Sequence, residues 1–164
     1  MTSRALAPAA PVDAPHEGWT LLPPRQSLGF GASFVAGDSG DRLQVAYFVR
    51  DADSAMVGRA WFGPLAEGPP GHAHGGAIAA VLDDVMGSSA WLAGHRAVAA
   101  KIEVDFKRPV PLGNTTTFLG LVLRAEGKRV HVRGELLLPD GTLAAASTGL
   151  FIVIDVQKLR DAVR

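Results

Sequence analysis

The stretch Glu67-Gly-Pro-Pro-Gly-His-Ala-His-Gly-Gly-Ala-Ile-Ala-Ala-Val-Leu-Asp-Asp decides the fold of this 164-residue chain. Proline and glycine crowd its first part, so the chain enters it through a turn. From Gly75 to Leu92 the chain is apolar on nearly every helical face and contains no proline, and Gly94 follows as a stop signal. A helix that is apolar all round must be buried, so we predict a central, buried helix over residues 75–92.

The segments on both sides of this helix roughly alternate between apolar and polar residues, as half-buried strands do. Turn residues such as Glu126-Gly127 and Pro139-Asp-Gly141 separate the later ones as hairpins. The fold class is therefore α+β, with a single domain over residues 18–164. Residues 1–17 are expected to be a disordered leader, and 18–40 an irregular or short-stranded segment. We predict two strands before the helix and four after it, over residues 43–50, 55–62, 98–106, 115–124, 129–138 and 143–154.

Composition and charge exclude several classes of protein. The chain has 48% apolar and 20% charged residues and a formal net charge of zero, so no overall field favours nucleic acid or a membrane. It contains no cysteine, which excludes a disulfide scaffold, a thiol nucleophile and a cysteine-ligated metal. No apolar run reaches membrane-spanning length, and the first residues lack the apolar core of a signal peptide. We therefore expect a cytoplasmic protein with neither nucleic acid nor a membrane as its partner.

His74, Gly75 and Gly76 stand where the predicted helix begins. The first N–H groups of a helix have no partner within it, and together with the helix dipole they suit an oxyanion. Asp83 follows Gly76 by seven residues and so lies on the same helical face, among small residues. A carboxylate in apolar surroundings is costly unless it is paired or used. The pattern indicates an acyl-transfer site.

Each of these residues also has a structural interpretation. Asp83 could cap a neighbouring loop, Asp84 could be the functional acid instead, and His74 could simply cap the helix. The spacing of His72, His74 and Asp83 does not support a metal site, and we expect neither metal nor cofactor. A serine hydrolase and a phosphate-binding loop are disfavoured, because the chain has neither a Gly-x-Ser-x-Gly elbow nor a glycine-rich loop ending in Lys-Ser/Thr.

Basic residues are concentrated in the second half of the chain. Residues 96–133 hold eight Lys or Arg against three Asp or Glu. One interpretation is ordinary solvated strand ends, and the other is a docking patch for a small polyanion such as a nucleotide. The candidates for phosphate contacts are Lys107, Arg108, Lys128 and Arg129. Arg108 is favoured among them, because a guanidinium can hold a phosphate through two hydrogen bonds.

Three stretches resemble the hotdog-fold acyl-CoA thioesterases. They are the segment Glu-Gly-Pro-Pro-Gly-x-x-His-Gly-Gly-Ala-Ile-Ala that begins at Glu67, the block Val104-Asp-Phe-Lys-Arg-Pro-Val-Pro-Leu112, and Ala146-Ser-Thr-Gly-Leu-Phe-Ile152. The likeness covers roughly residues 42–154. It implies a hotdog fold, in which a six-stranded antiparallel sheet wraps around the long helix. It also implies a homodimer with two sites at the interface, often paired into a dimer of dimers.

The resemblance further implies hydrolysis of an acyl-CoA thioester to a carboxylate and CoA. In this family the acid nine residues after the motif histidine activates water or attacks the thioester directly, and here that acid is Asp83. The backbone N–H of Gly75 or Gly76 would hold the thioester oxygen, and His74 would position the carbonyl or the loop. The four basic candidates would then contact the CoA phosphates.

The chain departs from the family at one place that matters for catalysis. Related enzymes carry a threonine or serine early in the strand after the helix, where it helps to hold the catalytic water, and Ala99 stands there in this chain. Ser88, Ser89 or a residue of a partner chain would have to orient the water instead. The departure favours the main alternative, a non-catalytic module that binds acyl-CoA or an acyl carrier. A hydratase on the same fold is a weaker alternative.

Overall fold

The computed structural model describes residues 11–23, 33–36 and 40–162. A short 3-10 turn precedes the main helix, and the strands of the described residues form one antiparallel sheet in the order β1-β2-β3-β5-β6-β7-β4. Within the described residues the elements are β1 (Trp19–Leu21), β2 (Leu43–Arg50), β3 (Met56–Phe62), the 3-10 turn (Pro64–Ala66), α1 (Gly75–Leu92), β4 (Ala97–Phe106), β5 (Thr115–Glu126), β6 (Arg129–Leu137), β7 (Leu143–Val153) and α2 (Val156–Asp161).

Helix α1 lies in the concave side of the sheet and contacts β3, β4, β5, β6 and β7. Its buried apolar side chains are at most 4% exposed and pack in two clusters, one with residues of β3, β5, β6 and β7 and the other with residues of β4, β6 and β7. The prediction of a buried central helix is confirmed, with the bounds that the sequence indicated. In the described part of the chain, no helix is both long enough and apolar enough to cross a membrane.

Two facing glycines let α1 lie close to the sheet. Gly120 of β5 and Gly134 of β6 are register partners under the helix. A Cβ atom at Gly120 would overlap Ser89 Oγ, and one at Gly134 would come within 3.2 Å of the Met86 side chain. Because backbone can approach backbone closely only where the side chain is absent, these glycines set how near the helix comes to the sheet.

The α+β class and the wrapping of the sheet around one long helix are confirmed, but the expected number of six strands is wrong. The seventh strand is β1, which adds to the edge of β2 with Trp19 opposite Arg50 and Leu21 opposite Phe48. Three residues are too few to show an alternating pattern, which is why this strand could not be separated from its irregular surroundings.

Part of the predicted leader contacts the outer face of the sheet. Residues 1–10 lie outside the described residues. Val12 is 8% exposed and packs in the cluster that contains Trp61 and Phe48. Arg59 of β3 donates hydrogen bonds to the carbonyl oxygens of Val12 and Ala14, at 3.2 and 2.6 Å. The segment 11–17 therefore packs against β3, whereas the boundary at residue 18 stays a prediction.

Candidate active site

The loop before α1 is held at both of its ends. Gly71 adopts a positive φ of 73°, and its N–H donates to Glu67 Oε1 at 2.7 Å. Further on, the N–H of Ala73 donates to the carbonyl of Val110 at 2.8 Å, and the N–H of His74 donates to the carbonyl of Ala66 at 2.7 Å. The start of α1 is thus fixed to the 3-10 turn on one side and to the connection between β4 and β5 on the other.

His74 is the N-cap of α1. Its Nδ1 accepts a hydrogen bond from the N–H of Gly76 at 2.9 Å, so the structure shows the capping role that the sequence left open. When Nδ1 accepts, the proton of the neutral ring sits on Nε2, and this N–H is available as a donor because His74 is exposed.

Because of this cap, the N–H groups of the two glycines differ in their availability to an oxyanion. The N–H of Gly76 is already bonded to His74, whereas the N–H of Gly75 donates to none of the residues that the structure describes. Gly75 is half-buried, and a Cβ atom at this position would lie 3.4 Å from the Phe106 ring. Of the pair Gly75 and Gly76, the first is the better donor for a substrate oxygen.

Asp83 presents an unpaired carboxylate oxygen. Its Oδ1 is buried and has no hydrogen-bond partner among the described residues. Burial raises the pKa of Asp83 above the ordinary range, and the neighbouring charge of Asp84 raises it further. An orphaned buried oxygen costs stability, so its presence fits a group that is kept for chemistry.

Asp84 opens into the same cavity as Asp83. The Tyr47 hydroxyl donates a short hydrogen bond to Asp84 Oδ2, and Ser88 Oγ donates to the backbone carbonyl of Asp84 at 2.6 Å. The sequence left Asp84 open as an alternative functional acid and gave no indication of Tyr47. Tyr47 lies 37 residues before Asp84, so no local pattern connects them.

The shared cavity has a volume of about 860 Å³ and is mostly apolar. It lies between β2, the second half of α1 and the start of β4. Ala99 lines it, so the position at which the family carries a hydroxyl does face this cavity. Ser88 also lines it, whereas Ser89 is buried and donates to the carbonyl of Val85 at 2.8 Å. Its apolar lining consists mainly of Leu21, Leu22, Val45, Met56, Trp91, Leu92, Val98 and Phe151.

The start of α1 opens into a different cavity of about 370 Å³, which His74, Gly76 and Glu67 line together with Arg42 and apolar residues. Seven residues of α-helix separate Gly76 from Asp83, which is about 10 Å along the axis. A reacting carbonyl must lie about 3 Å from both its oxyanion donor and its attacking group. One protomer therefore does not bring the helix start and Asp83 together around one substrate carbonyl.

The basic candidates are all exposed and form two separate pairs. Lys107 and Arg108 follow β4, where both N–H groups donate to the carbonyl of Ala144 at the start of β7. Lys128 and Arg129 lie at the β5–β6 hairpin, and the Lys128 carbonyl accepts from Val153 at the end of β7. Nine residues of strand span about 30 Å, so the two pairs occupy opposite ends of β7 in one protomer.

Sequence and structure comparisons agree with this architecture. The family model described as thioesterase superfamily matches residues 70–145, which include α1 and the strands β4 to β6. The chain belongs to the thioesterase superfamily. Its sheet wrapped around one long helix is the hotdog fold, as the sequence predicted.

Individual members of the superfamily show how close the relationship is. The chain is 33% identical to acyl-coenzyme A thioesterase THEM4 of Xenopus laevis over 111 residues, which are 67% of this chain and 50% of that protein. A solved thioesterase superfamily protein, RHA08564, aligns with a TM-score of 0.63 at 28% identity, over 66% of this chain and 53% of its own. BH2602 of Bacillus halodurans, solved with CoA, aligns with a TM-score of 0.57 at 26% identity, over 63% and 70%. The chain spans about half the length of the curated relatives that it matches.

The described residues contain no group of three His, Cys, Asp or Glu side chains placed to hold a metal ion. His72 Nδ1 lies 2.9 Å from the carbonyl oxygen of Pro70. The candidate site is therefore built from a carboxylate, a tyrosine hydroxyl and the backbone at a helix start.

Proposed function

We propose that this chain hydrolyses an acyl-CoA thioester to a free carboxylate and CoA. The observation that carries the proposal is the buried oxygen of Asp83, which has no hydrogen-bond partner in the described part of the chain and lies in a large apolar cavity. Relatives named acyl-coenzyme A thioesterase and the CoA-bound structure of BH2602 support the same substrate class. An apolar cavity suits an acyl chain, and a carboxylate at its wall suits attack on the thioester.

Asp83 is proposed to act as the general base. It takes a proton from water while the water oxygen attacks the carbonyl carbon of the thioester. The tetrahedral intermediate then collapses with cleavage of the C–S bond, and the proton passes to the departing CoA thiolate. Because its pKa is raised, Asp83 is a stronger base than an ordinary aspartate. Direct attack by Asp83, through an anhydride that water then cleaves, is the variant of this mechanism.

The helix start supplies the oxyanion hole in this proposal. The N–H of Gly75 donates to the developing oxyanion, an interaction worth about 2.7–4 kcal/mol when such a donor is removed from other enzymes. His74 keeps the N–H of Gly76 engaged and orients the loop.

The working unit is proposed to be a homodimer, because one protomer separates Gly75 from Asp83. Strand β4 forms one edge of the described sheet, and its side chains are mostly exposed, including Val98 at 42% and Phe106 at 55%. An exposed apolar edge strand favours pairing with another strand. A second copy paired antiparallel along β4 would bring its Phe106 and the adjoining Gly75 towards Asp83 of the first. Further pairing into a dimer of dimers remains part of the proposal.

The same pairing would reunite the basic residues. In an antiparallel pair the end of one β4 lies near the start of the other, so Lys107 and Arg108 of one copy approach the hairpin with Lys128 and Arg129 of its partner. Such a cluster is suited to the phosphates of CoA, with Arg108 as the favoured bidentate contact.

The test is free-thiol release from a panel of acyl-CoAs of different chain length, comparing the wild type with Asp83→Asn. The protein has no cysteine and so contributes no thiol signal of its own. Loss of a general base should lower kcat by about 100-fold or more while leaving the oligomer intact. Asp161→Asn, at an exposed position in α2 where asparagine keeps the oxygen that accepts from Gln157 Nε2, is the matched control and should leave kcat unchanged. Unchanged turnover in Asp83→Asn would refute the assignment.

One observation favours a second candidate function. Ala99 lines the cavity where related enzymes place a hydroxyl, so a water-holding group is missing at this point. A module that binds acyl-CoA or an acyl carrier without cleaving it would bind the panel measurably and release no thiol with any member. Loss of an enoyl chromophore without thiol release would instead indicate the hydratase.

A further inference from the structure

We infer that Tyr47 and Asp84 are positioning residues for Asp83, because the Tyr47 hydroxyl holds the Asp84 carboxylate beside Asp83 in one apolar cavity. This inference rests on the proposed function in that it concerns the same carboxylate. It assigns a role to Tyr47, which no sequence motif includes, and to Asp84, which the sequence left open as an alternative acid. The role is to keep a second negative charge next to the proposed base.

Tyr47 is itself held firmly in place. It lies on β2 opposite Gly58 of β3, and its ring packs against Phe118 with a centroid distance of 5.3 Å. A Cβ atom at Gly58 would overlap the Phe118 ring, so the glycine makes room for the ring that supports Tyr47. The phenol hydroxyl then reaches across to α1 and donates to Asp84 Oδ2. A hydroxyl that donates to a carboxylate binds the charged form more strongly than the neutral one.

The backbone at Asp84 is anchored as well. Ser88 Oγ donates to its carbonyl oxygen at 2.6 Å, one turn further along α1. Asp84 is therefore held through both its side chain and its main chain. Its carboxylate lines the cavity together with Asp83, the adjacent residue, and two carboxylates on one cavity wall repel each other.

The consequence falls on Asp83. Burial raises its pKa first, and the charge of Asp84 adds to that rise. A raised pKa means that Asp83 binds a proton more tightly, which makes it a more effective acceptor of the proton of water near neutral pH. The ionised, active form is then lost as the pH falls through a value above the ordinary range of an aspartate.

Other titratable groups near Asp83 are few. Among the described residues, Asp13 and Tyr47 are the further titratable side chains that line the cavity, and Asp13 is exposed. In the proposed dimer, His74 of a second copy also approaches Asp83. The charged residues of the strands that contact α1 are exposed, paired with one another or bonded elsewhere: Arg59, Lys101 with Glu103, Asp105 with Lys107, Arg124 with Glu126 and His131, Arg129, and Arg133 with Glu135.

The experiment compares the pH profile of kcat/KM for the wild type, Asp84→Asn and the control Asp161→Asn. Removing the neighbouring charge should move the acid limb to lower pH, whereas the control should leave it in place. In the double variant that combines Asp84→Asn with His74→Asn, the acid limb should also move to lower pH. The substitution at His74 keeps a capping side chain and removes the imidazole. An acid limb that does not move in Asp84→Asn, or that moves upward, overturns the inference.

Tyr47 is the only tyrosine of the chain, so its ionisation can be followed by tyrosinate absorbance without assignment. An adjacent carboxylate disfavours the phenolate, and tyrosinate should therefore form at lower pH in Asp84→Asn than in the wild type. Tyr47→Phe keeps the ring packing and removes only the hydroxyl, so it should lower kcat several-fold with little change in KM. Equal tyrosinate titrations in wild type and Asp84→Asn would contradict the contact.

A direct titration separates this inference from the proposed function. The carboxyl carbon of Asp83, identified by its loss in Asp83→Asn, is followed by NMR in the wild type and in Asp84→Asn. A lower midpoint in Asp84→Asn together with no thiol release would retain the coupling and refute the hydrolase. An unchanged midpoint together with thiol release would retain the hydrolase and refute the coupling.

Discussion

At the scale of single residues, Asp83 is the position where stability and chemistry conflict. Its buried oxygen lacks a partner among the described residues, and its pKa is raised mainly by burial. Because the folded chain binds the proton more tightly than the unfolded chain, the ionised carboxylate destabilises the fold. That penalty is absent below the ordinary aspartate pKa and develops as the pH rises through the raised value.

This conflict predicts that Asp83→Asn is more stable than the wild type at neutral pH. Removing a penalty of about 1 kcal/mol corresponds to a rise in Tm of about 2–4 °C for a chain of this size. The difference should disappear when the pH falls below the ordinary pKa of aspartate, where the wild-type carboxyl is neutral as well. Thermal unfolding from acid to neutral pH measures it, and a variant that is less stable than the wild type at neutral pH would show that Asp83 has a stabilising partner.

At the scale of elements, the packing of α1 on the sheet depends on where side chains are missing. Gly120 lies under Ser89 and Val85, and there is no space for a methyl group between strand and helix. Gly87 lies on α1 itself, where a Cβ atom would make an ordinary contact of 3.4 Å with the Phe151 ring. The same chemical change should therefore have opposite effects at the two glycines.

We expect Gly120→Ala to destabilise the protein by about 1–3 kcal/mol, since overpacking forces the helix and strand apart. Gly87→Ala is the matched control, and it should stabilise by up to about 1 kcal/mol because alanine is the better helix former. Denaturant unfolding of both variants gives the two free energies. A Gly120→Ala variant as stable as the wild type would mean that the helix can shift at no cost.

At the scale of the whole molecule, one protomer holds two incomplete halves of the candidate site. The start of α1 and Asp83 line different cavities, the helix start through His74 and Gly76, and β4 leaves an apolar edge exposed. Assembly along this edge would combine the helix start of one copy with the carboxylate of the other. A C2 pair makes two equivalent sites of this kind.

Mixed dimers test this arrangement. Gly75→Pro removes the free N–H at the first helical position, where proline is well tolerated, and His74 already has the extended backbone that precedes a proline. Gly75→Pro and Asp83→Asn should each lower kcat by about 100-fold or more. After the two variants are mixed and allowed to exchange subunits, half of the dimers carry one intact site, so about a quarter of wild-type activity should return. No recovery in a mixture with proven exchange would place both groups in one protomer.

Most of the fold could be predicted from local sequence patterns. The bounds of α1 and of β2 follow from periodicities of 3.6 and 2 residues, which any segment shows on its own. The capping role of His74 could be predicted as one of two interpretations, because a cap forms a hydrogen bond with a residue only two positions away. The strand β1 was not foreseeable, because its three residues owe their conformation to pairing with β2.

The sequence by itself determined the long buried helix, the strands that flank it and the placement of an acid two turns beyond a His-Gly-Gly helix start. These features depend on short-range periodicity, capping and turn chemistry. Only the tertiary structure decided that Tyr47 contacts Asp84, that both carboxylates share one cavity, and that the helix start lines a different cavity from Asp83. Such relations depend on how far the sheet curves around the helix, which is set by contacts between residues distant in the chain.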